Sequence, residues 1–177
     1  GQNGNRIDNV DFTSTNPNHA STLNADIFST QITAQNSTLK INSNVINFDG
    51  NSTFTGSIFD LGANSAQFSG TQAAFLGNPV FNTTFDGNGG GHLISNAVNT
   101  NMTGVNSITI NLTDTSPIPD ANGRKFTIFS ELLNGGTIQL ANNNVVTLNV
   151  APRPLVEWTH DQGVLYQALV NNPAQVV

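Results

Sequence analysis

Phe-x-Gly returns along this chain at an interval that few folds tolerate. Phe48 with Gly50, Phe68 with Gly70 and Phe85 with Gly87 repeat the triplet, and Phe28 extends the series, so the four phenylalanines stand twenty, twenty and seventeen residues apart. A second register agrees, because Phe54-Thr55-Gly56 recurs as Phe75-Leu76-Gly77, twenty-one residues on. Fixed periods of about 20 to 30 residues belong to stacked architectures, in which no single repeat buries its own apolar face and neighbours must do so for one another.

The apolar residues between these marks come in short alternating runs: Leu39 and Ile41, Ile46 and Phe48, Phe59 and Leu61, then Ile108, Ile110 and Leu112. Each run is bounded by Gly, Asn, Asp or Pro, the pattern of strands between tight turns. Only Ser130–Gly136 has the make-up of a helical turn, with Ser130 as cap and Gly135 as stop. The frame of leucine-rich repeats is absent, and helical repeats lack their helices. The expected fold is therefore all-β: a right-handed parallel β-helix (solenoid) with a C-terminal β-hairpin cap. In it the recurring Phe residues stack as an internal ladder, and the glycines sit where a Cβ would clash. An ordinary β-sandwich with accidental Phe spacing is the alternative. Coils of about 20 residues are expected over 1–104. The repeat fades after "GNGGGHLIS", which ends at Ser95, and 105–177 reads as a capping segment. Its last strands form a hairpin that sets Leu155 and Glu157 against Val164 and Tyr166 across a His160-Asp161-Gln162-Gly163 turn.

Composition narrows the function classes. Charged residues make up 9% of the chain, against roughly 25% in ordinary soluble domains. Polarity is carried instead by Asn, Thr and Ser, which suit turns and extended backbone. The net charge is −6 with no Lys/Arg cluster, so no nucleic-acid partner and no attraction to anionic lipid is expected. No cysteine is present, which removes disulfides and thiolate metal sites. No apolar run reaches the roughly 18 residues of a membrane helix. No signal peptide stands in the sequence, which opens "GQNGNRIDNV".

The order of events resembles the passenger domains of bacterial autotransporters of the type V secretion pathway. The matching residues are "GRKFTIFS" from Gly123, "GTIQLANNNVVTLNV" from Gly136 and the closing "WTHDQGVLY" from Trp158. They are similar to the strand, strand pair and hairpin of the autochaperone region. The Asn/Thr/Gly idiom with "FTGS" and "FDG" is most similar to rickettsial surface cell antigens. The resemblance implies export through a C-terminal membrane β-barrel, which this chain does not contain. It also implies display on the bacterial cell surface at the outer membrane, and adhesion to or invasion of host cells. The partner would be a host-cell surface protein or glycan, and the chain a monomer. Absence of Cys agrees with passage through a narrow pore.

No catalytic, cofactor-binding or metal-binding residues are assigned from the sequence, and no cofactor is expected. His19, His92 and His160 are scattered and fit no metal-ligand spacing. No G-x-S-x-G elbow occurs. An alternative is a carbohydrate-active β-helix enzyme using Asp49, Asp60 or Asp86. Asp49 and Asp86, with Ser69 between them, would stack two coils apart at about 9 to 10 Å, near the upper limit for an inverting carboxylate pair. Asp before Gly is also an ordinary turn residue, and that is the favoured reading. "DGNGGGH" from Asp86 reads as a loop rather than a calcium repeat or a phosphate cradle. Sequons at Asn36, Asn51, Asn82, Asn101 and Asn111 are expected by chance in such a chain. Trp158 and Tyr166 are read as packed faces of the hairpin rather than a sugar platform. A phage or viral fibre segment is a third reading.

Overall fold

The computed structural model describes residues 6–16, 18–129, 131–141 and 145–170. They form strands and turns, with no helix among the described residues. In chain order the strands are β1 (Ile7–Asp11), β2 (Ala20–Leu23), β3 (Ile27–Gln35), β4 (Thr38–Ile41), β5 (Val45–Thr55), β6 (Ile58–Gly62), β7 (Ser65–Leu76) and β8 (Val80–Phe85). There follow β9 (Leu93–Asn96), β10 (Asn99–Met102), β11 (Ser107–Asp114), β12 (Arg124–Thr127), β13 (Glu131–Leu133), β14 (Thr137–Leu140), β15 (Val145–Val150), β16 (Val156–Asp161) and β17 (Val164–Leu169). The helical turn expected at Ser130–Gly136 is instead strand β13, paired in parallel with β9 through Glu131↔Ile94. A single helical turn carries the full nucleation penalty for few hydrogen bonds, and a waiting sheet edge outcompetes it. Ser130, its expected cap, lies outside the described residues.

From β1 to β8 consecutive strands alternate between two parallel sheets. One has the order β1-β3-β5-β7-β10-β14, with β9 and β13 beside this path, and the other the order β15-β11-β8-β6-β4-β2. Parallel neighbours cannot be joined by a hairpin. Each strand therefore meets its partner only after the chain has crossed to the other sheet and returned, and the sequence period is that circuit. Phe48 pairs with Phe68, Phe54 with Phe75 and Phe59 with Phe81. The first sheet bends where the register between β5 and β7 shifts after Asp49. Beyond β7 the bend becomes a gap, and the equivalent stretches are the separate strands β9 and β10, then β13 and β14.

The six rings of these pairs are almost wholly buried and fill the space between the sheets. Phe48 stacks on Phe68 at 5.5 Å and Phe59 on Phe81 at 5.8 Å, while Phe54 meets Phe59 edge-on at 5.0 Å. Two members of the expected ladder fall elsewhere. Ile27, not Phe28, is the register partner of Phe48, and Phe28 lies opposite Asp49, half-buried. Phe85 ends β8 in the other sheet and packs on Phe126 at 5.2 Å and Trp158 at 5.6 Å. The glycines behave as expected at the bend: a Cβ on Gly50 would stand 2.0 Å from the Ser29 carbonyl oxygen, and one on Gly70 2.4 Å from the Gly50 nitrogen. Gly87, with φ near 101°, makes no backbone approach of that kind.

Outward-facing amides stack along the second sheet. The Asn149 side-chain amide donates to Asn111, and Asn111 donates to Asn82, each at 2.9 Å. Gln72 donates to Asn51 at 3.1 Å on the first sheet. These rungs satisfy polar groups without charge, which is how so few ionic residues suffice.

Parallel pairing runs on through β11, β14 and β15. The change of character comes with the three-stranded antiparallel sheet β12-β17-β16. The expected hairpin is present with a tighter turn: Asp161 pairs with Val164, so Gln162-Gly163 alone makes the turn, and His160 and Asp161 belong to β16. Glu157 consequently faces Ala168, Thr159 faces Tyr166, and Leu155 precedes the strand with φ 65°. Gln162 takes the left-handed conformation, with φ 54°, that a two-residue turn demands.

Candidate functional site

The densest polar constellation joins the antiparallel sheet to the parallel stack, and it centres on Asp114. This residue ends β11, and its side chain is only 1% exposed. One carboxylate oxygen accepts from Arg153 Nη1 at 2.7 Å, from the Trp158 indole N–H at 3.0 Å and from Gln167 Nε2 at 2.9 Å. The other accepts the Ser116 backbone N–H at 2.9 Å and the Ser116 hydroxyl. Arg124 bonds the far side of Gln167, donating to its Oε1 at 2.9 Å. Burial pushes the Asp114 carboxyl pKa up, but the bonds from the Ser116 hydroxyl and N–H, Trp158 and Arg153 outweigh it, and the group sits below its ordinary value. Every lone pair faces a donor, so this carboxylate is a clasp and not a base awaiting a substrate.

Sequence reasoning missed Asp114. Asp-Thr-Ser is a visible local turn signal, but Arg153, Trp158 and Gln167 stand 39, 44 and 53 residues away. Only the fold brings them together.

The candidate carboxylates do not assemble. Asp49 lies on β5, where Ser69 is its register partner, and receives Arg6 Nη1 at 2.9 Å. Asp60 lies on β6 in the other sheet, between Lys40 and Asn82 in register. Asp86 follows β8 in that second sheet, so the expected two-coil column of Asp49 and Asp86 does not exist. Asp86 instead closes a turn, accepting the N–H groups of Asn88 at 2.8 Å and Gly89 at 3.0 Å. Those two bonds hold its carboxyl below its ordinary value.

His19, just ahead of β2, and His160, on β16, are both exposed. His92 sits beside a cavity of about 310 Å³ that also touches Phe126 and Glu131. Its Nδ1 lies 3.1 Å from both the Ser65 hydroxyl and the Gly90 carbonyl oxygen. No group of three or more His, Cys, Asp or Glu gathers among the described residues. Among the sequons, Asn51, Asn82 and Asn111 are rungs of the amide stacks, Asn101 accepts the Thr103 N–H, and Asn36 holds a left-handed corner. Trp158 is packed as expected. Tyr166 is not, being 41% exposed opposite Lys125. No helix is long and apolar enough to cross a membrane among the described residues.

The chain is similar to Outer membrane protein A of Rickettsia conorii. It is 30% identical to that protein over 149 residues, covering 79% of this chain. The chain spans 7% of the length of that relative. No family model matches the chain, and no solved structure matches it.

Proposed function

We propose that this chain is a non-enzymatic length of a surface-displayed autotransporter passenger, a right-handed parallel β-helix that holds adhesive loops away from the outer membrane and binds host cells as a monomer. The alternation of parallel strands between two sheets, one circuit per Phe repeat, is the observation that carries the reading. Similarity to a rickettsial protein named for the outer membrane supports the location. In this reading the coils extend through β15, and the antiparallel sheet with its Asp114 clasp caps the folding unit within 105–177. A C-terminal membrane barrel and a host surface protein or glycan complete the system.

Antibodies raised against this chain test it. They are expected to label intact producing cells as strongly as permeabilised ones, and the soluble chain is expected to compete with those cells for host-cell attachment. Labelling confined to permeabilised cells would overturn the display, and attachment indifferent to excess chain would overturn the adhesive role.

A further inference from the structure

The corners of the stack are not alike. β3 and β4 are joined by Asn36 and Ser37 alone, and β5 and β6 by Gly56 and Ser57 alone, whereas the connection from β1 to β2 is longer, with 12–16, 18 and 19 its described residues. The long connection starts on the same stack, with the Ser14 N–H bonded to the Gln35 carbonyl at 3.0 Å, and returns where Thr38 N meets the His19 carbonyl at 3.4 Å. A longer loop laid over tight corners leaves a cleft of about 670 Å³ between Thr13–Thr15 above and 35–38, Gly56 and Ile58 below. That size falls within the range of small-molecule sites, about 300 to 1,000 Å³.

The chemistry of the walls is uniform. Thr13, Thr38, Gln35 and Asn36 each carry both donor and acceptor capacity, no charged side chain lines the space among the described residues, and Ile58 adds an apolar patch. Ser37 lies in the same wall and is 2% exposed, and its hydroxyl has no partner among the described residues. The equivalent Ser57, one circuit on, donates to the Thr55 carbonyl at 3.3 Å. The Ser37 hydroxyl is closed off from solvent and so is not offered to a ligand, which leaves Thr13, Gln35, Asn36 and Thr38 as the polar contacts of the cleft.

The geometry points to this cleft as a binding site for a neutral sugar residue, whose ring hydroxyls match paired donors and acceptors and whose C–H face matches Ile58 and the threonine methyls. Uncharged walls select against sialic acids, uronic acids and phosphorylated ligands, which would lose hydration with no counter-charge to receive them. Without an aromatic stacking partner in the lining, single sugars bind weakly, with Kd near the millimolar level of about −4 kcal/mol, and useful affinity comes from repeated engagement. This gives a ligand class to the surface-display reading and rests on it for the source of the glycan.

The test is a ¹H–¹⁵N NMR titration of the whole chain with methyl glucoside, methyl galactoside, methyl mannoside and N-acetylglucosamine, beside N-acetylneuraminic acid. At least one neutral sugar is expected to give saturable shifts confined to residues 13–15, 35–38 and 56–58, with the acid sugar giving none there. The double variant Gln35→Ala, Asn36→Gly is expected to weaken binding at least tenfold with unchanged thermal unfolding, because glycine accepts the left-handed backbone of Asn36. Shifts elsewhere, shifts with the acid sugar alone, or none from any neutral sugar would overturn the site. Such a result would leave antibody labelling of intact cells, and hence the display reading, standing.

Discussion

Replacing Asp114 by Asn separates the clasp from the rest of the stack. The substitution keeps shape but removes the charge on which Arg153, Trp158 and Gln167 converge at 2.7 to 3.0 Å. Removing one partner of a buried ion pair destabilises by about 3 to 5 kcal/mol. Arg153 is a quarter exposed, and water relieves part of its loss, so about 3 kcal/mol is expected. Trp158 is the single tryptophan and lies within the cluster, so its fluorescence during urea unfolding reads this site. With a slope of about 1 to 3 kcal/mol/M the midpoint falls by roughly 1 to 3 M.

The pH dependence gives a second reading of the same group. The folded-state pKa of Asp114 is lowered, so its contribution is complete above the unfolded pKa and is lost as pH falls through the folded one. Acid therefore erodes stability below about pH 4, the ordinary carboxylate range. Asp11, held down by its hydrogen bonds from Thr13, and Asp86 act in the same direction. Asp114→Asn is expected to flatten the acid limb and leave only their part. A loss below about 1 kcal/mol, or an acid limb identical to that of the parent chain, would refute the claim that the clasp holds the antiparallel sheet in place.

Two further substitutions test the interior. Phe54→Ala removes a wholly buried ring with neighbours at 5.0 to 5.6 Å and is expected to cost about 3 to 5 kcal/mol in denaturant unfolding. Phe28→Ala, half-buried and out of the ladder, should cost under about half as much, and equal losses would restore Phe28 to the ladder. Gly50→Ala forces a Cβ to within 2.0 Å of the Ser29 carbonyl oxygen, so the bend must open. Loss of soluble folded chain or a large drop in melting temperature is expected by circular dichroism, and an unchanged melt would show that the bend yields freely.

How far the sequence disclosed this architecture follows from the range of each interaction. Phe48 and Phe68, or Phe54 and Phe75, are one circuit apart, so their pairing is written as a period and can be read without coordinates. Phe85 shared the spacing but not the register, because its strand belongs to the other sheet, and a period does not name a sheet. The same gap misplaced Asp86 beside Asp49. Gly50 and Gly70 were legible because close backbone approach leaves a compositional mark at each turn of the repeat. Asp114 left no such mark, since its partners occur once each and belong to the part of the chain where the repeat ends.

That contrast bears on where recognition can sit in such a molecule. Asn36, Gly56 and Gly77 form a column of left-handed corners, tied by the Asn36 N–H to the Thr55 carbonyl and the Gly56 N–H to the Leu76 carbonyl, both at 3.0 Å. The column fixes the corner backbone, and Asn36 and Gly56 of it lie in the floor of the cleft. Loops held on such a rigid frame can vary without disturbing it, because lengthening a surface loop adds little closure entropy. The connection between β1 and β2 stands where the next circuits have tight corners, and the cleft lies between Thr13–Thr15 and the corners below. A stacked scaffold thus keeps its period where it must pack, and the cleft proposed as a sugar site lies where the period is broken.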